Sequence, residues 1–142
     1  MTDRSPDPTL DRLLRHMAWA NAQLIARLAE QPDDALSLTA PNNEWSAGRI
    51  LAHLVNAAGG YAARLEGVPR PPDVDLLASA AELAAAADRL AGFDARLRAQ
   101  AIHHATEHRA QIAGALATNG NNAIDLDAID LWQYGDTEGL DA

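Results

Sequence analysis

The sequence predicts an all-α protein, a four-helix bundle with a C-terminal tail packed on it. Three observations point there. Apolar residues recur at steps of three and four along several long stretches, the period of an amphipathic helix. Hydrophobic residues make up 48% of the chain but aromatics only 4%. Much of that apolar content is alanine, which suits closely packed helices better than a sheet. The prolines fall between the periodic stretches, where connections are expected. At 142 residues the chain has room for one core, so residues 1–142 are read as a single domain.

Taken in order, residues 1–8 are polar with two prolines and form a frayed lead-in. The first helix is expected from about Pro8 to Glu30. Its stripe is Leu10, Leu13, Leu14, Met17, Asn21, Leu24 and Leu28. His16 falls beside the stripe and reads as a flank or surface histidine. Trp19 and Asn21 are not required by a bundle helix and are candidates to line a pocket. Gln31-Pro32-Asp33-Asp34 ends the helix. A connection with Pro41 and two asparagines follows, and Ser46 is the expected N-cap of a second helix reaching about Leu65. The inward stripe there is Ile50, His53, Leu54, Ala57, Tyr61 and Leu65.

Gly67 to Asp75 carries three prolines and reads as a stiff connection. A third helix starts near Asp75 and runs through Leu76, Ala80, Leu83, Ala87 and Leu90. Gly92-Phe93-Asp94 has the composition of a cap-to-cap turn. The fourth helix follows and stops at Asn119-Gly120. The tail beyond it carries Ile124, Leu126, Ile129, Leu131, Trp132 and Tyr134 among its aspartates, and is expected to fold back on the bundle. The link between the third and fourth helices has an alternative. The stripe does not reset at Gly92, so one helix of about 64 Å from Leu76 to Thr118 is also compatible, at about 1.5 Å per residue. Such a rod would require a domain-swapped dimer. The hairpin is the preferred reading.

Net charge is −9 and the pI about 4.8, which argues against a nucleic acid partner. There is no cysteine, hence no thiolate and no disulfide from the chain itself. No signal peptide and no membrane-length apolar run is present, so the expected setting is cytoplasmic with no membrane partner. There is no Gly-rich phosphate loop, no Ser/His/Asp pattern and no basic patch.

The informative stretch is His103-His104-Ala105-Thr106-Glu107-His108-Arg109-Ala110-Gln111. His104 and His108 are one helical turn apart on one face, and two such imidazoles can grip one metal ion. They fall on the stripe Leu97, Ala101, His104, His108, Ile112 and Ala115, so the pair is expected to point inward. A lone inward histidine is more often a core residue bonded to backbone. Two in phase, joined by His53 from the second helix, make a three-histidine metal set. Imidazole suits nickel, zinc and iron alike, so the set selects none of them.

These residues, together, resemble the DinB/YfiT-like family of helical-bundle metalloproteins. Leu14-Arg15-His16-Met17-Ala18-Trp19-Ala20-Asn21 is similar to the family's first-helix stretch. Trp45-Ser46 with Ile50-Leu51-Ala52-His53-Leu54 is similar to its second motif. His104 with His108-Arg109-Ala110-Gln111-Ile112 resembles its "HxxxHRGQI". Leu126-Asp127 and Asp130-Leu131-Trp132-Gln133-Tyr134-Gly135 resemble its C-terminal ending. The resemblance implies a four-helix bundle that holds a divalent ion, nickel, zinc or iron, on the histidines matching His53, His104 and His108. It also implies homodimers and, in some relatives, thiol-dependent S-transferases or isomerases that use a low-molecular-weight thiol such as bacillithiol or mycothiol. Two departures stand out. Ala110 replaces the family's usual glycine, and the link from Leu90 to Leu97 is shorter than usual.

Two functions follow as expectations. One is a metal-dependent enzyme, a thiol S-transferase or hydrolase with a small-molecule substrate, in which Glu107 is a weak general-base candidate against its plainer reading as a solvated glutamate. The other is a non-catalytic metal- or ligand-binding bundle. His104-Ala105-Thr106-Glu107-His108 also matches H-x-x-E-H, the inverted zincin pattern. That peptidase class needs a further acidic ligand far downstream and a much larger fold, so the reading is set aside.

Overall fold

A computed structural model describes residues 8–54, 57, 67 and 95–140. Helix α1 spans Pro8–Ala29, within one residue of the sequence expectation. Helix α2 covers 47–54, with residue 57 also helical. Helix α3 spans Ala95–Ala117 and the short helix α4 spans Leu131–Thr137. Single 3₁₀ segments, Asp33–Ser37 and Leu126–Ile129, lead into α2 and α4. Among the described residues there is no strand, only one isolated bridge between Thr39 and Ser46. The protein is an all-α bundle. The third predicted helix, the Gly92-Phe93-Asp94 turn and the stiff connection after Gly67 lie outside the described residues, as do Tyr61 and Leu65.

Each helix end has a local cause. The Ser46 hydroxyl accepts from the Arg49 amide at 3.2 Å, so Ser46 caps α2 as its type predicts. α3 ends where Gly120 adopts φ +80°. The Gly120 and Asn121 amides then donate back to the carbonyls of Ala117 and Leu116, each at 3.0 Å. That pair of hydrogen bonds needs a left-handed residue, which glycine supplies without strain. Asp130 caps α4 by accepting from the Gln133 amide at 2.8 Å, and Asp125 accepts from the Asp127 amide at 3.0 Å. Two of the tail's acids are therefore structural acceptors rather than a solvating charge.

The core is the meeting of three apolar faces. α1 contributes Leu14, Met17, Leu24, Ile25 and Leu28; α2 contributes Ile50, Leu51 and Leu54; α3 contributes Ala101, Ala105, Ile112 and Leu116. The alanines let the helix axes approach. Gly48 does the same for the preceding connection, since a β-carbon there would meet the Leu36 carbonyl oxygen at 3.0 Å. α1 and α3 run parallel, as two bonds of matching offset show. The Arg109 guanidinium donates to Asn21 Oδ1 at 2.7 Å, and the Asn121 side-chain amide donates to Gln31 Oε1 at 3.0 Å.

The tail does fold back. Ile124, Ile129 and Tyr134 are buried, and the Leu126–Ile129 segment and α4 both pack on α1. Trp132, by contrast, is 82% exposed. It borders a surface groove of about 480 Å³ together with Arg12, Leu13 and Leu131. Tail docking overturns one expectation. His16 is buried, not a flank residue. Its Nε2–H donates to the Ile129 carbonyl at 2.8 Å, and its ring meets those of Trp19 and Tyr134 at 6.2 and 5.9 Å. α1 alone would leave this histidine beside its stripe; the tail covers it. Trp19 packs on Tyr134 at 5.5 Å and Asn21 bonds Arg109; neither is among the residues lining that groove.

Candidate metal centre

α3 carries two adjacent polar features, and they differ in burial. The first is Arg109, 4% exposed. Its guanidinium donates to Asn21 Oδ1 at 2.7 Å and to Thr106 Oγ1 at 3.3 Å. Burial lowers its pKa to about 10, which still leaves it charged at neutral pH. This contact joins two of the sequence motifs, the Asn21 of the first helix and the Arg109 that follows the histidine pair. It was not foreseen, because arginine is among the residues least often buried. Its neighbourhood to the pair was the available signal.

The second feature is the histidine cluster. His53, His104 and His108 come together from α2 and α3, with one ring nitrogen of each within 4.8 Å of the others. His104 Nε2 lies 3.1 Å from His53 Nε2 and 3.0 Å from His108 Nε2. The three rings stand nearly edge-to-face, with centroids 4.2 to 4.9 Å apart. The expected burial is corrected here. His53 is exposed, while His104 and His108 are half-buried. The buried face of α3 is Ala101, Ala105, Arg109, Ile112 and Leu116, and the pair stands on its edge. On α2 the core is made by Ile50, Leu51 and Leu54, which turns His53 outward. The set thus opens to solvent rather than lying in the core.

Protons alone do not satisfy this cluster well. His108 Nδ1–H donates to Gln111 Oε1 at 2.7 Å, which in the neutral ring leaves the Nε2 lone pair facing His104. A single Nε2–H on His104 points in one direction, yet it has two Nε2 neighbours at similar distance. One cation can take all three lone pairs at once. Two nitrogens bound to one ion at about 2.0–2.1 Å lie about 2.9 Å apart at a right angle and about 3.3 Å apart at the tetrahedral angle. The observed 3.0 and 3.1 Å fall within that range. His104 is held below the usual histidine range, chiefly by burial and then by repulsion from His108 and His53. That favours the neutral, lone-pair form a metal needs. The donor set therefore fits a divalent ion.

Around the cluster, Gln111 orients His108, the arrangement that typically fixes a ligand histidine's tautomer. The Trp45 indole and the His53 ring meet nearly edge-to-face, with centroids 5.3 Å apart. Glu107 is exposed, and its charge acts on His104 in the opposite sense to burial.

A family model described as the DinB family matches residues 6–101, well over half of the chain. The chain belongs to the DinB family. The matched stretch holds the first two motifs and His53, and it ends just before His104. In this DinB-family chain the partnership of His53 with the α3 pair is therefore carried by geometry. No curated protein and no solved structure matches the chain. Among the described residues no helix is long and apolar enough to cross a membrane.

Proposed function

We propose that this DinB-family protein is a metal-dependent enzyme in which His53, His104 and His108 bind one divalent ion, nickel, zinc or iron, and that it acts as a thiol S-transferase or hydrolase on a small molecule. The observation that carries the reading is the convergence of three Nε2 atoms that one set of ring protons satisfies poorly, at a place open to solvent. A divalent ion there would acidify a bound water or thiol. The residues do the rest. Three neutral ligands leave the ion's charge uncompensated, so the site favours an anionic nucleophile. The chain has no cysteine, so any thiol must come as a co-substrate, a low-molecular-weight thiol in the transferase version. His108 is held in one tautomer by Gln111. Glu107, whose charge reaches His104, is the candidate to move a proton. The single domain, the cytoplasmic setting and a homodimer belong to the same reading.

The openness of His53 also weighs against the alternative, an ion that serves only the fold. A closed, fully buried site would have favoured that non-catalytic role. Metal analysis of the purified protein and cobalt substitution test the proposal. One equivalent of metal is expected, with its spectrum shifted by a low-molecular-weight thiol. Equal metal content in His53→Ala and His104→Ala would sink the site. A spectrum insensitive to every thiol would remove the transferase version.

A further inference from the structure

Trp45 packs against His53, one of the three histidines, and Arg49 packs on Trp45; neither belongs to the ligand set. The Ser46 cap sets both. Trp45 immediately precedes the cap, and Arg49 lies on the first turn of α2. The Trp45 and His53 rings meet nearly edge-to-face, with centroids 5.3 Å apart and planes at 76°. The Arg49 guanidinium carbon lies 4.4 Å from the Trp45 ring centroid. The cation is thus restrained on an aromatic face, two ring contacts from the cluster. Trp45 is half-buried and Arg49 exposed. Among the described residues Arg49 makes no ion pair.

That placement has a consequence in a chain of net charge −9. The overall field repels anions, and Glu107 adds a local negative charge on the α3 side. A ligand whose far end is anionic needs a local cation to approach. Buried Arg109 is occupied by Asn21 and Thr106; Arg49 faces solvent.

We propose that Arg49, seated on Trp45, is a specificity-determining residue of the three-histidine site and selects ligands that carry a carboxylate at the end remote from their metal-binding group. The proposal rests on the metal reading above. It is tested on the full chain loaded with cobalt, by absorption titration with two probes: the monohydroxamate of glutaric acid, and the same molecule with its carboxylate replaced by a neutral amide. The wild type should bind the carboxylate probe roughly two- to fivefold more tightly at low salt, the range of an exposed ion pair, and the preference should fade in high salt. Arg49→Gln should abolish the preference while keeping the amide probe's affinity, the cobalt stoichiometry and the helical content. Equal binding of both probes by the wild type, or a preference that survives in Arg49→Gln, overturns the role of Arg49 while leaving the metal site intact. Cobalt uptake unaffected by His104→Ala overturns the metal reading itself, and this proposal with it.

Discussion

Two histidine environments lie on neighbouring helices of this bundle, and they are opposites. At the tail contact, His16 is buried and bonds a carbonyl 113 residues away. Its partner is a pure acceptor, so one N–H settles the arrangement. At the cluster, His104 meets His53, 51 residues away, and His108, all through Nε2 atoms. There the partners are alike and compete for the same role. A polar group with a complementary partner holds a fold together. Like groups brought to one point leave lone pairs that a single set of ring protons satisfies poorly.

The largest expected effect separates the two. His104→Ala removes the nitrogen common to both short contacts. It should reduce metal affinity by more than the roughly 10–100-fold that loss of an outer partner costs, with little change in helical content. His16→Ala should leave metal stoichiometry intact and instead lower stability, by about 1–3 kcal/mol for a buried acceptor left without its donor. Metal titration and denaturant melts of both variants check the pair. If His16→Ala lost the metal as well, the two environments would not be independent.

Gln111→Ala comes next. It frees the His108 tautomer and should weaken metal binding by roughly tenfold, the lower end for an outer-shell partner. An unchanged titration curve would show that the 2.7 Å contact does not orient a ligand.

A smaller effect is expected from pH. Burial holds His16 below its ordinary pKa. Proximity to Arg109 adds to this, while the Ile129 carbonyl and Asp130 oppose it. The unfolded chain then binds the proton first. The contribution of neutral His16 is fully present above about pH 6.5 and is lost as pH falls through the lower folded value. In metal-free protein, His16→Phe should flatten that acid-side slope. A slope identical to wild type would place the titration elsewhere. Least of all, Trp132→Ala should change stability by no more than about 0.5 kcal/mol, since the ring is 82% exposed and surface substitutions are usually this mild.

Much of the architecture was legible in the chain. α1 was placed almost to the residue, Ser46 as a cap and Asn119-Gly120 as a stop, because capping and glycine conformations are local properties. His53, His104 and His108 were legible as a set and do meet, but at the edges of the buried faces rather than on the inward stripes that suggested them. Their exposure was not. Helical periodicity says which residues share a face, but the edge of a stripe is buried or open according to what packs over it.

That divides the protein cleanly. The sequence by itself determined α1, the Ser46 cap, the stop of α3 at Asn119-Gly120 and the three histidines gathered at the cluster, all consequences of short-range backbone chemistry and spacing. Only the tertiary structure decided that the tail buries His16, that Asn21 receives Arg109, and that the cluster opens to solvent beside Trp45 and Arg49. Those outcomes depend on contacts between segments 51 to 113 residues apart, and no local pattern encodes which distant surface will arrive.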